Sequence, residues 1–190
     1  NQIKSISILH KNDNQNIYMK TKYKNLFDLT DKVAIVTGAS KGIGASIAKA
    51  FAEFGANVVV SSRSQEGIEK VVSEITENGY NAIACVCHVG EDDQLKNLIE
   101  TTINKYGRID ILVNNAGINP VFDRLENADE KLFNKILDIN TKSPFKLSNL
   151  VFEYMKENKS GSIINISSVE ANKPDKGLGV YSISKAAISM

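Results

Sequence analysis

Tyr181 and Lys185 are the two residues whose chemical types and spacing point most directly to a reaction. Residues four apart lie on one face of a helix, so the Lys185 ammonium can approach the Tyr181 phenol. A free phenol titrates near ~10, and a neighbouring positive charge favours its ionised form. The pair therefore predicts a tyrosine that can donate and accept a proton near neutral pH.

A glycine-rich segment after the first predicted strand indicates a turn that binds phosphate groups. Glycines between a strand and a helix permit a tight turn and let backbone amides approach a pyrophosphate closely. A P-loop needs Gly-Lys followed by Ser or Thr, but Gly42 is followed by Ile43 and Gly44, which disfavours a nucleotide triphosphatase. Taken alone, the glycines are also compatible with simple loop geometry. The candidate cofactor-binding residues of this turn are Gly38, Ser40, Lys41, Gly42, Ile43 and Gly44.

The end of the second predicted strand favours NADP over NAD as the ligand of that turn. A protein that prefers NAD is expected to carry an acidic residue there, which hydrogen-bonds a hydroxyl of the adenosine ribose. Ser62 takes about that place, while Arg63 and Lys41 can make charge-assisted bonds to a ribose 2'-phosphate. NADP (NADPH) is therefore the expected cofactor, with NAD as the other option. The alternative is that Arg63 and Lys41 are solvated surface residues.

Further candidates follow other predicted elements. Asn115, Ala116 and Gly117 come after the fourth strand, where small residues let the backbone approach a flat ligand, although the same residues also suit a turn. Asn140 is a polar residue in an apolar helical stretch, and such an asparagine is more often structural than catalytic. Ser168 ends the fifth strand thirteen residues before the tyrosine and can hydrogen-bond a carbonyl oxygen, but serine is common at strand ends.

The composition is that of an ordinary globular domain. The chain has 190 residues, 42% of them hydrophobic and 24% charged, and a formal net charge of +1. Without a clustered basic face, neither a nucleic acid nor an anionic membrane surface is expected as a partner. The longest apolar runs are about strand length, so we expect no membrane span and a soluble, cytoplasmic protein. Cys85 and Cys87 lie on one face of a strand, which favours two reduced core residues over a redox or metal site.

Apolar runs of strand length alternate with segments of helical period from Lys32 onward, which predicts an α/β fold, a doubly wound parallel sheet of the Rossmann type. Ligands of such sheets bind beyond the carboxyl ends of the strands. The predicted strands are Val33–Thr37, Asn57–Ser61, Asn81–Cys87, Ile109–Asn114 and Ser162–Ser167. The predicted helices are Ile43–Phe54, Gln65–Asn78, Asp92–Tyr106, a long stretch from Leu132 to Met155 with Pro144 as an entry or kink, and a last helix from Tyr181.

This pattern predicts two regions. Residues 26–190 are expected to form one NAD(P)-binding catalytic domain, which is C-terminally incomplete because the chain stops inside a predicted helix. Residues 1–25 are expected to be a disordered N-terminal extension, with Met19 as a possible natural start.

The motifs, taken together and in order, resemble the short-chain dehydrogenase/reductase family. The resemblance covers residues 32–190 and rests on Thr37-Gly38-(x)3-Gly42-x-Gly44, Asn114-Asn115-Ala116-Gly117, Asn140, Ser168 and Tyr181-(x)3-Lys185. Within the family, four runs look most like carbonyl reductases of the NADP-retinol dehydrogenase type and their bacterial relatives. These runs are Val58–Arg63, Cys87–Gly90, Asn119-Pro120 and Leu178–Tyr181.

The resemblance implies a role for each candidate. Tyr181 would exchange a proton with the substrate oxygen while the nicotinamide carries the hydride. Lys185 would favour the ionised tyrosine and bind the nicotinamide ribose, so that both residues also contact the cofactor. Ser168 would orient the substrate oxygen, and Asn140 would hold a water that joins Lys185 to a proton relay. Hydride and proton transfer by these groups need no metal ion, so no metal site is expected.

Two departures from the family pattern stand out. Many relatives carry Asp after the third strand to contact the adenine, whereas this chain has His88 followed by Val89. His88 either contacts the adenine itself or is a surface histidine beside a backbone that serves the cofactor. Relatives also continue for roughly sixty residues, typical of a domain of this type, and that segment carries the substrate lid.

The expected function is therefore an NADP-dependent oxidoreductase that reduces ketones or aldehydes reversibly to alcohols. A 3-oxoacyl thioester (acyl carrier protein) reductase is the alternative enzyme, and a non-catalytic cofactor-binding sensor is the alternative of another class. The expected partner is a small carbonyl or alcohol substrate. The resemblance also implies a homodimer or homotetramer formed through the long helices that carry Asn140 and Tyr181.

Overall fold

The computed structural model describes residues 26–190. The predicted extension over residues 1–25, including Met19, lies outside the described residues. The described chain forms a five-stranded sheet in which every neighbouring pair is parallel, in the order β3-β2-β1-β4-β5. The strands are β1 Val33–Thr37, β2 Asn57–Ser62, β3 Ala82–Val86, β4 Ile111–Asn114 and β5 Ser162–Asn165. The predicted doubly wound Rossmann-type sheet is confirmed.

Helices connect the strands and cover both faces of the sheet. They are α1 Gly42–Glu53, α2 Gln65–Glu77, α3 Asp92–Tyr106, α4 Glu130–Leu137, α5 Ser143–Glu157 and α6 Gly179–Ser189. Short 3-10 turns are formed by Leu125–Asn127 and Val169–Ala171. The predicted elements all exist, but β3, β4 and β5 are shorter than expected, and α6 begins two residues before Tyr181.

Alternating side chains of the strands supply two separate cores. Because successive side chains of a strand point to opposite faces, Val36 and Val60 pack under α1 and α2, whereas Ile35 and Val59 pack under α3 and α5. Alanines on the inner face of α1 let that helix lie close to the sheet. β1 and β4 are buried along their whole length and read as continuous apolar runs, as expected of strands covered on both faces, whereas all four residues of β5 are exposed.

The two cysteines belong to the second of these cores. Cys85 and Cys87 are buried free thiols, while Val86 between them points to the other face and is 43% exposed. Burial raises the pKa of the Cys87 thiol to about 12, so the reactive thiolate is disfavoured. Among the described residues no group of three or more His, Cys, Asp or Glu side chains could hold a metal ion. The reading of both residues as reduced core cysteines fits this arrangement.

A π-helical turn, Asp138–Lys142, joins α4 to α5. The Ser143 hydroxyl donates to the Asp138 carbonyl at 2.7 Å, across the widened turn. Pro144 follows directly and lacks the amide that a regular helix would use here, while the backbone at Lys142 and Ser143 stays helical through the widened turn. The predicted entry or kink is therefore a π turn, which carries Asn140. No helix in the described part of the chain is long and apolar enough to cross a membrane.

Asp110 organises the amino-terminal edge of the sheet, opposite the predicted ligand site. Its carboxylate is 3% exposed and accepts hydrogen bonds from the Arg108 guanidinium at 2.6 and 2.8 Å and from the Val33 amide at 2.9 Å. Burial by itself would raise the pKa of the Asp110 carboxyl, but the bonds from Arg108 and Val33 outweigh it and hold that pKa below its ordinary value. This carboxylate therefore joins the start of β1 to the start of β4.

Candidate active site

The glycine turn lies at the carboxyl end of β1, where it meets the end of β4. Gly38 and Gly42 have φ of +64° and +58°, a backbone conformation that side chains strongly disfavour. A Cβ atom on Gly38 would lie 2.9 Å from the Ala116 Cα. One on Gly44 would lie 2.5 Å from the Gly38 carbonyl oxygen and from the side-chain Nδ2 of Asn115. Glycine is therefore required at positions 38 and 44, because the turn after β1, the start of α1 and the segment after β4 meet there. At position 42 glycine is favoured because the backbone is left-handed.

Asn115 and Thr37 lock β4 against β1 at this point. The Asn115 Nδ2 donates to the Thr37 and Gly38 carbonyls at 2.9 and 3.1 Å. The Thr37 hydroxyl, in turn, accepts from the Asn115 and Ala116 amides at 3.1 Å each. The predicted residues of the glycine turn and of the segment after β4 are thus brought together. The Asn115 side chain is hydrogen-bonded to the backbone of the turn and is not available to a ligand. Thr37 was not among the predicted site residues, although a threonine ending a buried strand could have signalled such a role.

Two cations flank the turn without acidic partners. Lys41 and Arg63 are exposed, and neither takes part in an ion pair among residues 26–190. A Cβ on Gly67 at the start of α2 would lie 2.8 Å from the Ser40 Cβ, so the segment after β2 lies against the glycine turn. The Ser62 hydroxyl is used locally, because it accepts from the Ser64 amide at 3.1 Å.

His88 and Val89 lie after β3 at the same edge of the sheet. The His88 Nδ1 accepts from the Gly90 amide at 3.1 Å, and its own amide donates to the Gln94 side chain at 2.7 Å. Val89 is buried in the core beneath α3. His88 is half-buried and its ring faces Gly90. A contact of His88 with the adenine and a purely surface role both stay predictions.

Lys185 and Tyr181 share one face of α6. The Lys185 Nζ lies 5.8 Å from the centre of the Tyr181 ring and donates to the Ile166 carbonyl at 2.7 Å, where β5 has ended. Lys185 is only 5% exposed, and burial lowers the pKa of its ammonium group. No carboxylate of the described residues forms an ion pair with it, so its charge acts on the tyrosine without local compensation.

Asn140 links the π turn to α6 and to the segment after β4. Its Oδ1 accepts from the Ile118 amide at 2.8 Å, and its Nδ2 donates to the Ile118 carbonyl and to the Ser184 hydroxyl, both at 2.9 Å. The Ser184 hydroxyl donates onward to the Tyr181 carbonyl at 2.7 Å. A Cβ on Gly117 would lie 3.4 Å from the Asn140 Oδ1 and 3.5 Å from the Lys185 Nζ, so both atoms surround this glycine.

Ser168 begins the 3-10 turn that follows β5. Its hydroxyl oxygen accepts from the Glu170 amide at 3.2 Å, and the side chain is half-buried. Two residues later, the buried Glu170 carboxylate accepts from the Asp175 amide at 2.8 Å and from the Ser182 hydroxyl at 3.2 Å. Ser182 follows Tyr181 directly, which connects the serine turn to the start of α6. Sequence reasoning missed Glu170, since nothing local distinguishes it from an exposed loop glutamate.

A shallow groove opens beside Tyr181. The segment between β4 and α4 forms one wall and the segment before α6 forms the other. The two walls meet where the Phe122 ring covers Gly177 and the Asp123 amide donates to the Gly177 carbonyl at 3.1 Å. The lining mixes the apolar side chains of Val121, Leu125, Leu132, Ile136, Leu178 and Val180 with the polar ones of Asn119, Asp123, Arg124 and Asn127.

The residues at the glycine turn fit a dinucleotide. Gly42 has open space where a Cβ would stand, so its backbone is accessible to a phosphate. The exposed Lys41 and Arg63 supply positive charge beside it, and the groove with Tyr181 lies at the same edge of the sheet. The glycine turn and Tyr181 therefore lie at one edge of the sheet, beyond the carboxyl ends of the strands, where ligands of such sheets bind.

Comparison with known proteins agrees with this arrangement. Residues 32–190 match the family model described as short chain dehydrogenase. The chain is 41% identical over 160 residues to Dehydrogenase/reductase SDR family member 4 of Oryctolagus cuniculus, covering 84% of this chain and 62% of the relative. It is 38% identical over 157 residues to Tropinone reductase-like 3 of Erythroxylum coca, covering 83% of this chain and 60% of that relative.

A solved structure is similar as well. The crystal structure of a protein titled a "putative short-chain alcohol dehydrogenase", from Sinorhizobium meliloti 1021, superposes with a TM-score of 0.81 at 34% identity, covering 85% of this chain and 64% of that one. The chain spans about three fifths of the length of these curated relatives. On the family match, the identity to its members and the shared fold, this chain belongs to the short-chain dehydrogenase family.

Proposed function

We propose that the protein is an NADP-dependent oxidoreductase that transfers a hydride between the nicotinamide and a ketone, an aldehyde or a secondary alcohol. The observation that carries the proposal is that Tyr181 lines the groove while the buried Lys185 ammonium lies 5.8 Å from the centre of its ring. When bound, the nicotinamide supplies or accepts the hydride. The reaction then needs a proton donor for the carbonyl oxygen, and the phenol of Tyr181 has that place.

In the reducing direction Tyr181 donates its proton to the substrate oxygen, and in the oxidising direction it takes the proton from the alcohol. The phenolate that forms lies beside the buried Lys185 ammonium, an opposite charge that favours it, and no carboxylate among the described residues pairs with that ammonium. Lys185 also donates to the Ile166 carbonyl, which holds the ammonium on the ring's side of α6.

Ser168 and Asn140 are proposed to complete the site. The Ser168 oxygen accepts from the Glu170 amide, so its own O–H can donate to the substrate oxygen. Asn140 is held by Ile118 and Ser184, and its Oδ1 and the Lys185 Nζ both approach Gly117. This arrangement supports a role of Asn140 in holding a water that joins Lys185 to a proton relay.

The proposed preference for NADP rests on charge at the end of β2. Arg63 and Lys41 are exposed cations without ion pairs among the described residues, and Ser62 stands where a carboxylate would favour NAD. Losing a charge-assisted bond to the 2'-phosphate costs about 1.5–3 kcal/mol. Arg63→Ala should therefore weaken NADPH binding roughly 10- to 150-fold, with little change for NADH.

Fluorescence titration of NADPH and NADH measures this difference. Lys105→Ala is the matched control, because it removes one exposed positive charge at the opposite edge of the sheet. Equal losses for both nucleotides in Arg63→Ala would refute the NADP assignment and leave NAD as the cofactor.

An apolar carbonyl compound is the proposed substrate. Aliphatic side chains supply half of the residues that line the groove beside Tyr181, which supports free aromatic ketones or retinal-like aldehydes. A 3-oxoacyl thioester stays the alternative substrate, because the same proton chemistry serves both. NADPH oxidation by the full-length protein with aromatic ketones, retinal and an acetoacetyl thioester distinguishes the two classes.

Tyr181→Phe tests catalysis itself. The variant should lose about 10²- to 10⁴-fold in turnover while binding NADPH normally, because only the proton donor is removed. Tyr80→Phe is the matched control, since Tyr80 lies on the surface after α2. Tight NADPH binding by the unmodified protein without turnover of any carbonyl would instead favour the cofactor-binding sensor. The cytoplasmic location and the homodimer or homotetramer stay predictions.

A further inference from the structure

Glu170 is a buried acidic residue that the proposed chemistry does not use. It is 7% exposed and lies in the 3-10 turn directly after Ser168. One carboxylate oxygen, Oε2, accepts from the Asp175 amide at 2.8 Å and from the Ser182 hydroxyl at 3.2 Å. This single oxygen therefore joins the serine turn, the following loop and the first turn of α6.

Burying a carboxylate is costly unless it is hydrogen-bonded or paired. No Lys, Arg or His of the described residues forms an ion pair with Glu170, so the two donors and the amino end of α6 must stabilise it. The amino end of a helix carries partial positive charge, which favours an anion there. A residue that served packing alone would not need an oxygen that accepts two hydrogen bonds at this place.

The bonds of Glu170 also reach the substrate groove. Asp175 belongs to the loop that continues to Gly177, whose carbonyl accepts from the Asp123 amide and whose face is covered by the Phe122 ring. Holding the Asp175 amide therefore fixes the loop that forms one wall of the groove. The same carboxylate thus constrains the Ser168 turn, the start of α6 with Tyr181, and the loop through Asp175 that forms one wall of the groove.

We propose that Glu170 is a positioning residue, whose carboxylate holds the Ser168 turn against the first turn of α6 so that the Ser168 hydroxyl and the Tyr181 phenol reach one substrate oxygen. This inference rests on the proposed function. It assigns Glu170 no contact with the substrate or the cofactor. Its effect acts through the relative placement of Ser168 and Tyr181, to which turnover is sensitive at the level of ångströms.

Three variants of the full-length protein test the proposal by steady-state kinetics and NADPH titration. Glu170→Ala should lower kcat at least about tenfold, because a displacement of about 1 Å can cost a rate factor of this size or more. Glu170→Gln should stay within about threefold of the unmodified enzyme, since an amide oxygen accepts the same two bonds. Ser182→Ala removes one bond and should fall between them. NADPH affinity should be unchanged in all three, because the glycine turn lies elsewhere.

Glu100→Ala, which removes an exposed carboxylate from α3, is the control and should match the unmodified enzyme. Unchanged kcat in Glu170→Ala would overturn the proposal. So would a Glu170→Gln variant as slow as Glu170→Ala, because the charge and not the hydrogen bonds would then matter. A loss of NADPH binding parallel to the loss of kcat would also overturn it, since that is the effect of general unfolding.

Amide hydrogen exchange separates this inference from the proposed function. If the unmodified protein binds NADPH but reduces no carbonyl compound, the proposed function fails. The positioning role of Glu170 is then tested by amide hydrogen exchange alone. Glu170→Ala should then speed exchange of the Asp175 amide and of the first turn of α6 at least about tenfold, and leave Gly38–Gly44 unchanged. Unchanged exchange at Asp175 would overturn the inference.

Discussion

Gly44→Ala is the substitution for which local and tertiary effects have opposite signs. Gly44 is the third residue of α1, and replacing a helical glycine by alanine ordinarily stabilises a protein by up to about 1 kcal/mol. The added Cβ would, however, lie 2.5 Å from the Gly38 carbonyl oxygen and from the Asn115 Nδ2, where ordinary contact begins near 3.4 Å. Something must move by almost an ångström.

The cost follows from what those atoms do. Asn115 Nδ2 makes two hydrogen bonds, to the Thr37 and Gly38 carbonyls, each worth about 0.5–1.5 kcal/mol. Overpacking against backbone adds about 1–3 kcal/mol. After the helix-propensity gain is subtracted, we expect a net loss of about 1–5 kcal/mol in the free energy of unfolding.

Cofactor binding should suffer as well, because Gly38 belongs to the phosphate turn. Loss of one charge-assisted bond to phosphate, about 1.5–3 kcal/mol, corresponds to roughly 10- to 150-fold weaker binding. Urea unfolding measures the stability, and fluorescence titration with NADPH and NADH measures the affinity.

Gly107→Ala is the matched control. Gly107 ends α3 with φ of +74° and has open space around its Cβ position, so its cost of about 1–2 kcal/mol is purely conformational. That variant should lose stability and keep its cofactor affinity. A Gly44→Ala protein that is more stable than the unmodified one, with unchanged affinity, would refute the steric reasoning.

Three further substitutions probe the network. Thr37→Val should cost about 1–3 kcal/mol, because the Asn115 and Ala116 amides lose an acceptor, and a loss under ~0.5 kcal/mol in urea unfolding would contradict this. Asp110→Asn should destabilise by about 2–3 kcal/mol at neutral pH. Its carboxyl pKa is lowered, so the stabilisation is lost as pH falls through that pKa, and the difference in Tm should shrink below pH ~4 and not stay constant. Lys185→Met should abolish most turnover. It should keep or raise the free energy of unfolding, because the lowered pKa shows that burying the charged ammonium costs stability. That gain should fade, not grow, as pH rises toward ~10.4, where the unfolded lysine also becomes neutral.

Much of the fold was predictable because its signals are local. Strands buried on both faces read as apolar runs, and glycines such as Gly79 and Gly107, with φ of +83° and +74°, end helices where the pattern expected them. The pairing of Tyr181 with Lys185 needed only helical spacing. The 3-10 turn after Ser168 was not predicted, because its residues carry no distinctive period.

Several features of the site could not be read locally. Thr37 and Asn115 are 78 residues apart, and their hydrogen bonds exist only because β1 and β4 are neighbours in the sheet. The π turn around Asn140 is stabilised by contacts with Ile118 and Ser184, which lie 22 and 44 residues away. Glu170 has the composition of a surface loop residue, and its burial depends on α6 packing over it.

Local sequence is sufficient to predict which segments become strands and helices, where a glycine turn exposes backbone amides, and which tyrosine has a lysine on its face. These properties depend on side-chain periodicity and glycine backbone freedom, which act within a few residues. Tertiary structure alone decided that Thr37 joins two strands, that Lys185 is buried without a carboxylate partner in the described chain, and that Glu170 connects Ser168 to Tyr181. Burial and hydrogen bonding between distant segments appear only once the sheet has brought the ends of its strands to one edge.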